Sequence, residues 1–298
     1  MSTTDAFSQK TDVNHVEWKT AAQLQNPDGS LSLGFAGAIN GVSNDVLLVT
    51  GGANFPDKMP WEGGKKSYSK TIHLLEKCGD KYSWIKVVKT ELPESIAYCG
   101  TTTTDLGVVY VGGENENGLS NKSYILKWNA AKKEVEIKSL PNFPFAIANI
   151  ALTQIDNVVY AVGGDEATKS SDYFASLDLN DTNSEWKALP KLPLALANSV
   201  VIAQKGQNGI GIYVVGGRTK TASGISDLHH TTFVFDVKTQ QGKNAAAISD
   251  GKNTPNFSPG AGVAVGKHSI VIVGGDNGAI FHHIETYLSQ IAQAVSPE

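Results

Sequence analysis

Five apolar runs, each ending in a pair of glycines, constrain this chain more than any other feature. The first glycines of the pairs are Gly51, Gly112, Gly163, Gly216 and Gly274, so the spacings are 61, 51, 53 and 58 residues. The runs read DVLLVTGG, GVVYVGG, NVVYAVGG, GIYVVGG and HSIVIVGG. Uninterrupted apolar runs of this length indicate strands that are buried on both faces. Glycine-marked repeats of about 40 to 50 residues predict the blades of a β-propeller, of which the kelch type has the longer period.

Each repeat predicts four short antiparallel strands. A strand of small residues precedes the apolar run, as in CGTTTT from Cys99, and turn residues such as Asp156-Asn157 join the two strands. After the glycine pair come a polar loop, an alternating third strand such as KSYILKW and a fourth such as EVEIKSL. Four antiparallel strands make one blade. The predicted fold class is therefore all-β, a kelch-like β-propeller with five glycine-pair repeats and a short C-terminal helix.

The small residues and the glycine pairs have a common steric explanation. A first strand rich in Gly, Ala, Ser and Thr suits the crowded axis of a propeller, where neighbouring blades leave little room. At the end of the apolar run the backbone must turn against the next blade, and glycine can adopt a positive φ there without a Cβ in the way. Trp84 and Trp186, in outer strands, are interpreted as packing between blades.

The two ends of the chain depart from the repeat. Only 23 residues follow Gly275, and their apolar residues recur in steps of three and four, which predicts an amphipathic helix. The segment HVEWKTAAQL from His15 resembles SEWKALPKL from Ser184, so Val16 to Trp18 is expected to complete the last blade. The predicted divisions are a disordered tail over 1–14, the propeller over 15–279 and the helix over 280–298. An unclosed ring would expose a strand edge and favour homo-oligomers.

Composition excludes several classes of partner. The net charge is −4, and no basic stretch alternates with aromatic residues, so neither nucleic acid nor an anionic membrane surface is an expected partner. The apolar runs fall far short of the roughly 20 residues that span a bilayer. The polar N-terminus lacks a secretory signal, and both a cytoplasmic chain and a periplasmic chain with its signal removed fit this sequence. Cys78 and Cys99 are expected to be free, partly buried thiols.

The residues that follow the glycine pairs form a candidate site. Their loops share one face of a propeller, and the set that gathers there is polar and mixed in charge, with aromatic rings nearby. An arginine for a carboxylate, amides for hydroxyls and a ring to stack on suit a small sugar acid. Taken singly, each residue fits a solvated loop better than a binding site, and only the set as a whole favours the site. The predicted binding residues are Arg218, Asn54, Phe55, Asn115, Asp165, Asn149 and Asp276.

No metal site is predicted. His229-His230 and His282-His283 are adjacent pairs, and neighbours on a strand point to opposite faces, so neither pair chelates one metal ion by itself. The GGDNG stretch at Gly274 lacks the lysine that completes a phosphate-binding loop.

Beyond the repeat, the block GFAGAINGVSNDVLLVTGGANFPDKMPWEGGKKSYSKTIHLL, residues 34–75, resembles the bacterial N-acetylneuraminate epimerases, which are sialic acid mutarotases, and especially their cyclically permuted relatives. AYCGTTTTDLGVVYVGGENENG, residues 97–118, continues the resemblance, which covers the chain from Val16 onward. It implies a six-bladed propeller that interconverts the anomers of N-acetylneuraminate with no metal and no organic cofactor.

The resemblance also implies a catalytic Glu directly after a blade glycine, with an Arg six residues beyond it. No position matches that pair, because Ser120 stands six residues after Glu114 and His282 six after Asp276. In the permuted relatives the pair lies in a final blade after a helical insertion resembling residues 280–295, so this chain is expected to lack the last part.

Three functions stay open at this point. The first is a mutarotase in which Glu114 transfers the proton and Tyr98 is a second donor. The second is a non-catalytic propeller that binds a glycan or a partner protein. The third is an incomplete scaffold that binds nothing alone.

Overall fold

The computed structural model describes residues 13, 15–26, 28–86, 88–206, 209–249 and 251–295. Its architecture is the predicted all-β, kelch-like β-propeller, a series of small antiparallel sheets that follow one another along the chain. Each of the first four sheets has four strands, and the fifth has two.

The first two blades have the same plan. In each, four strands form the sheet, and a pair of two-residue strands just past the glycine pair forms a separate ribbon. The first blade contains β1 (Ile39–Ser43), β2 (Val46–Thr50), β3 (Ala53–Asn54), β4 (Ser67–Tyr68), β5 (Ile72–Cys78) and β6 (Lys81–Trp84), with a 3₁₀ helix at Pro60–Glu62. The second contains β7 (Gly100–Thr104), β8 (Gly107–Val111), β9 (Glu114–Asn115), β10 (Gly118–Leu119), β11 (Ser123–Asn129) and β12 (Glu134–Leu140).

The fourth blade repeats this plan, whereas the third and the fifth depart from it. The third contains β13 (Ala151–Ile155), β14 (Val158–Val162), β15 (Phe174–Asp178) and β16 (Lys187–Ala188). The fourth contains β17 (Val200–Gly206), β18 (Gly209–Val215), β19 (Arg218–Thr219), β20 (Asp227–Leu228), β21 (Thr232–Asp236) and β22 (Gln241–Asn244). The fifth contains only β23 (Ala261–Val265) and β24 (Ser269–Val273) and is followed by α1 (Ala279–Val295). The predicted C-terminal helix is thus present, and residues 296–298 lie outside the described part of the chain.

The first strand of each sheet lies at the hub. β1, β7, β13, β17 and β23 contact one another in that order, and side-chain hydroxyls tie them together. Thr103 Oγ1 accepts a hydrogen bond from the Val42 amide at 2.9 Å, and Thr153 Oγ1 accepts one from the Ala203 amide at 3.1 Å. The small polar residues of these strands therefore join neighbouring blades, as the crowding argument predicts.

The apolar second strands fill the space between blades. Leu48 and Leu74 of the first blade pack with Val108, Leu126 and Trp128 of the second in one fully or almost fully buried cluster. A second cluster joins the third and fourth blades in the same way. Burial on both faces explains why these strands do not alternate between apolar and polar residues.

The glycine pair at Gly163 and Gly164 shows what the repeat requires. Gly163 has φ +64°, and a Cβ on it would overlap the carbonyl oxygen of Leu196 in the next blade. The Gly164 amide donates to that same oxygen at 2.8 Å. Glycine is needed because the backbone of the next blade occupies the place of a side chain.

The expectations about the start of the chain and the two outer tryptophans have different outcomes. Residues 15–24 form no strand, so the closure predicted at Val16 to Trp18 is wrong. The Trp84 indole donates to the Gln23 carbonyl at 3.0 Å, which holds this segment against the first blade instead. Trp186 does pack between blades, on Phe143 and with a hydrogen bond to the Pro141 carbonyl.

The helix and the cysteines also differ in part from expectation. The apolar stripe of α1 is exposed, Ile280 to 69% and Tyr287 to 68%, whereas an amphipathic helix usually buries that face. Both cysteines are free, but Cys78 is exposed, and only Cys99 is partly buried. Burial raises the pKa of the Cys99 thiol far above its usual value. Residues 1–12 and 14 of the predicted disordered tail lie outside the described residues.

Candidate functional site

The residue that follows each glycine pair occupies an equivalent place in every blade. Each of these residues forms an antiparallel bridge to the residue three positions before the inner strand of its own blade begins. We call these five positions the junction residues, and they are Ala53, Glu114, Asp165, Arg218 and Asp276, bridged to Ala36, Ala97, Ala148, Ala197 and Ser258 respectively. One backbone scheme thus presents five side chains of four types around a common axis.

A chain of left-handed residues lies beside the junction residues. Gly37, Tyr98, Asn149 and Asn198 have φ of 62°, 59°, 53° and 54° in successive blades. The Tyr98 amide donates to the Gly37 carbonyl and the Asn149 amide to the Tyr98 carbonyl, both at 2.8 Å, and the Asn198 amide donates to the Asn149 carbonyl at 3.1 Å. We call this series the collar. Because each amide is bonded to the preceding blade, the collar fixes the side chains of neighbouring blades relative to one another.

Collar and junction residues surround a cavity of about 530 Å³. This volume lies in the range of roughly 300 to 1,000 Å³ that is usual for small-molecule sites. Polar side chains form one part of its wall and apolar side chains another. The lining residues are Lys66, Tyr98, Glu114, Asn149, Asn198, Arg218, Leu228, Ser258, Pro259, Asp276, Ile280, Phe281 and Ile284.

Glu114 is the centre of an ionic cluster in the cavity wall. Its Oε1 accepts hydrogen bonds from Lys66 Nζ at 3.1 Å and from the Tyr68 hydroxyl at 2.9 Å. The Lys66 ammonium also lies 5.0 Å from the centroid of the Tyr98 ring, within cation–π range. Among the described residues, none donates a hydrogen bond to Glu114 Oε2. That oxygen is thus free to accept a proton or a hydrogen bond from a ligand.

The protonation of this cluster follows from its contacts. Burial alone would lower the pKa of Lys66, but the hydrogen bond to Glu114 and the charges of Tyr98 and Glu114 outweigh burial and raise it. Burial and the hydrogen bond to Glu114 raise the pKa of Tyr68. At neutral pH the lysine is therefore an ammonium and the tyrosine keeps its proton.

Arg218 belongs to a second ionic cluster in the same cavity. Its Nη2 lies 2.6 Å from Oδ2 of Asp165, which is buried. Asn149 Nδ2 donates to the same carboxylate oxygen at 3.0 Å, and the Ser170 hydroxyl donates to the other at 3.0 Å. The cavity therefore has a carboxylate held by a lysine in one wall and a guanidinium held by a buried aspartate in another.

Helix α1 supplies the apolar wall. Ile280, Phe281 and Ile284 in its first turns face the cavity together with Leu228 of β20. The helix is attached by polar contacts: Glu285 accepts hydrogen bonds from the Ser226 amide at 2.7 Å and the Ser226 hydroxyl at 2.8 Å. His282 Nε2 donates to the Ser226 carbonyl at 2.6 Å.

Five of the nine predicted site residues line the cavity: Glu114, Tyr98, Arg218, Asn149 and Asp276. The other four lie elsewhere. Asp165 is buried behind Arg218, and the Asn115 amide donates to the Ser95 carbonyl at 3.2 Å. Asn54 lines a separate shallow pocket of about 320 Å³ beside Tyr68, and Phe55 is not among the residues around the larger cavity.

The sequence reasoning missed Lys66 and the apolar wall. Lys66 lies in the irregular segment between β3 and β4, where no periodicity marks a position. Asn198 lines the cavity at the position equivalent to Asn149. The repeat indicates this equivalence, because Asn198 follows Ala197 as Asn149 follows Ala148. Ile280 and Ile284 are part of the periodic pattern that predicted the helix, but that pattern carries no information about a cavity.

The described residues contain no group of three or more His, Cys, Asp or Glu side chains placed to hold a metal ion. In the same ranges, no helix is long and apolar enough to cross a membrane.

The family model and the curated relatives that match this chain carry the same description. A family model described as N-acetylneuraminate epimerase matches residues 1–137 and 140–297. An N-acetylneuraminate epimerase of Vibrio cholerae is 39% identical over 129 residues, which is 40% of this chain and 32% of that protein. One of Haemophilus influenzae is 34% identical over 142 residues, which is 46% of this chain and 37% of that protein. The chain thus spans about a third of the length of the curated relatives it matches.

The fold comparison agrees. A solved structure described as "Structure of YjhT" superposes with a TM-score of 0.65, covering 86% of this chain and 80% of that one, at 12% sequence identity. Identity this low supports the shared fold alone. The family model, by contrast, matches nearly the whole sequence. This chain therefore belongs to the N-acetylneuraminate epimerase family.

Proposed function

We propose that the cavity binds a sugar acid and accelerates the interconversion of its anomers, with N-acetylneuraminate as the substrate. The observation that carries the proposal is that Glu114 and Arg218 line the same cavity, each held by its own ionic partner. The names of the matched relatives support the choice of sugar.

The cavity offers a partner for each part of such a ligand. Arg218 is the cation for the carboxylate, since a guanidinium binds carboxylates through paired hydrogen bonds. The amides of Asn149 and Asn198 are suited to hydroxyls. Ile280 and Phe281 give an apolar surface for the parts of the sugar that carry no polar group.

The chemistry needs one base and one acid. Glu114 takes the proton from the anomeric hydroxyl, while a second donor, which we assign to Tyr98, protonates the ring oxygen as the bond from that oxygen to the anomeric carbon breaks. The open-chain keto form rotates about the bond to its anomeric carbon and closes on the other face by the reverse proton transfers. No atom is gained or lost. A positioned acid and base typically contribute about 10² to 10⁴ in rate.

The test is proton NMR of anomer exchange that starts from pure α-N-acetylneuraminate. The wild-type chain is expected to exceed the buffer rate, and Glu114→Gln is expected to lose about 10² to 10⁴ of the acceleration because the amide cannot accept the proton. Glu116→Gln is the matched control, two residues away and exposed, and it should retain wild-type activity. A wild-type rate equal to that of buffer, or full activity in Glu114→Gln, rejects the proposal.

A second candidate is binding without turnover. It is favoured by the absence of an arginine six residues after Glu114 or Asp276, where Ser120 and His282 stand. Saturation-transfer contact with N-acetylneuraminate together with an anomer exchange rate equal to that of buffer would support it.

A further inference from the structure

We propose that Asp165 is a positioning residue that fixes the guanidinium of Arg218 at the cavity. The expected effect of Asp165 on substrate binding and turnover rests on the proposed function, whereas its contact with Arg218 does not. The carboxylate does not line the cavity. It contacts Arg218 Nη2 at 2.6 Å and Nη1 at 3.5 Å, so it engages one edge of the guanidinium.

The aspartate is held as firmly as the arginine. Its side chain is 3% exposed and that of Arg218 13%. The Ser170 hydroxyl donates to Asp165 Oδ1 at 3.0 Å and accepts from the Lys220 amide at 2.9 Å. A buried carboxylate needs such partners because an unpaired charge away from water is strongly unfavourable. The contacts on both sides therefore hold Asp165 and Arg218 in the arrangement that the structure shows.

The same carboxylate fixes a neighbour of Arg218. Asn149 Nδ2 donates to Oδ2, the oxygen that binds Arg218 Nη2. Asp165 therefore sets the orientation of the cavity's guanidinium and of an adjacent amide together. A guanidinium fixed in this way loses less side-chain freedom when a carboxylate binds to its remaining N–H groups.

The pair joins two neighbouring junction positions. Arg218 has an acidic junction residue on each side, Asp165 and Asp276. Asp165 pairs with it at 2.6 Å, whereas Asp276 Oδ1 accepts a hydrogen bond from the Gly278 amide. Glu114, between Ala53 and Asp165, has no cation in the neighbouring junction positions and binds Lys66 from the β3–β4 segment instead. Of the charged junction residues, Asp165 and Arg218 are thus the two that pair with each other across a blade boundary among the described residues.

The first experiment needs no ligand. We would record the ¹⁵N signals of arginine side chains and assign Arg218 from the signal lost in Arg218→Gln. Wild type should show slow rotation and slow solvent exchange of the Arg218 guanidinium, and Asp165→Asn should speed both. An unchanged Arg218 signal in Asp165→Asn overturns the proposal.

The second experiment is a double-mutant cycle on binding and turnover of N-acetylneuraminate. Asp165→Asn should raise Kd and KM by roughly tenfold or more, because an ionic hydrogen bond is lost, with kcat changed less than about threefold. In the Arg218→Gln background the same substitution should change neither constant by more than about twofold. An equal effect in both backgrounds would contradict a role through Arg218.

Two further variants serve as a milder test of the same role and as a control. Ser170→Ala keeps the ion pair and removes only its support, so it should give a smaller change of the same kind even if Asp165→Asn folds poorly. Asp172→Asn is the control, since Asp172 forms an exposed pair with Lys191 in the same blade. It should leave the Arg218 signal, Kd and KM unchanged.

The outcomes separate this inference from the proposed function. A wild-type chain that gives no anomer exchange but shows slow Arg218 rotation that is lost in Asp165→Asn rejects the mutarotase and supports the positioning role. Normal turnover with an Arg218 signal that is independent of Asp165 supports the mutarotase and rejects the positioning role.

Discussion

At the scale of single residues, Tyr98 combines an unfavourable backbone conformation with a place in the cavity wall. Its φ is +59°, in the left-handed region, whereas the equivalent collar residues are glycine and asparagine, which tolerate that region better. A Cβ on Gly37 would overlap the Tyr98 ring, so the glycine makes room for the tyrosine. A bulky residue in this conformation suggests that its side chain has a function.

We therefore expect Tyr98→Asn to separate stability from activity. The free energy of unfolding should rise by about 1 kcal/mol, because asparagine tolerates the left-handed region better than tyrosine. The anomer exchange rate should fall by about 10², since the ring and the second proton donor are lost. Thermal unfolding and proton NMR on the same sample measure both. Gln240→Gly, at an exposed left-handed position that does not line the cavity, controls for the backbone effect alone, and equal activity of Tyr98→Asn and wild type would contradict the role of Tyr98.

At the scale of elements, helix α1 is unusual because its polar face makes the attachment. Glu285 and His282 bind both sides of Ser226 in the β19–β20 loop, and the Ser289 hydroxyl donates to the Ser223 carbonyl at 3.2 Å. The first turns of the helix line the cavity. The position of the apolar wall therefore depends on a few hydrogen bonds.

Glu285→Ala should loosen this helix without unfolding the blades. Two hydrogen bonds to Ser226 are lost, and amide hydrogen exchange over 279–291 should become at least tenfold faster, with a severalfold increase in KM. Gln290→Ala, an exposed change on the same helix, should leave exchange unaltered. Unchanged exchange in Glu285→Ala would show that the helix is held by other contacts.

At the scale of the whole molecule, the inner strands form a continuous series from β1 to β23, and the last blade differs from the others. Four of the five residues of β23 are exposed, and a Cβ on Gly274 would meet open space, whereas one on Gly163 would overlap the next blade. Homo-oligomer formation through this blade, expected where a ring is not closed, stays a prediction.

Global stability should fall as the pH drops below about 6.5, the usual pKa of histidine. Burial lowers the pKa of His73 and of His229, so the unfolded chain takes up protons that the folded chain does not. His73 stacks on Phe35 and packs edge-on against Trp84, and its Nε2 has no hydrogen-bond partner among the described residues.

The variant that tests this is His73→Phe, which keeps the ring and removes the titration. Its unfolding free energy, from denaturant titrations between pH 5 and pH 7, should depend less on pH than that of the wild type. His15→Phe, at an exposed position, is the control and should leave the dependence intact. A parallel pH dependence in His73→Phe and wild type would exclude His73 as a source.

The sequence predicts the blades well because glycine pairs and apolar runs are local patterns. It places Glu114 and Arg218 in one cavity because equivalent positions of a repeat share one end of a propeller. It cannot tell that Asp165 is buried, since this depends on Arg218 reaching across from the next blade. It cannot find Lys66, which lies in a segment without periodicity. The predicted N-terminal strand is absent, and the hydrogen bond from Trp84 to the Gln23 carbonyl joins residues 61 positions apart, which no local pattern reveals.

The collar has a consequence for how the ligand preference of such a cavity can change in evolution. Its backbone hydrogen bonds are the same at Gly37, Tyr98 and Asn149, although the side chains differ completely. A substitution there alters what the cavity recognises and leaves the amide-to-carbonyl links intact. New ligand preferences can therefore arise from one or two exchanges at these positions, because the links between blades use backbone atoms. The exchanges are limited to residues that tolerate a positive φ and, at Gly37, to those that leave room for the Tyr98 ring.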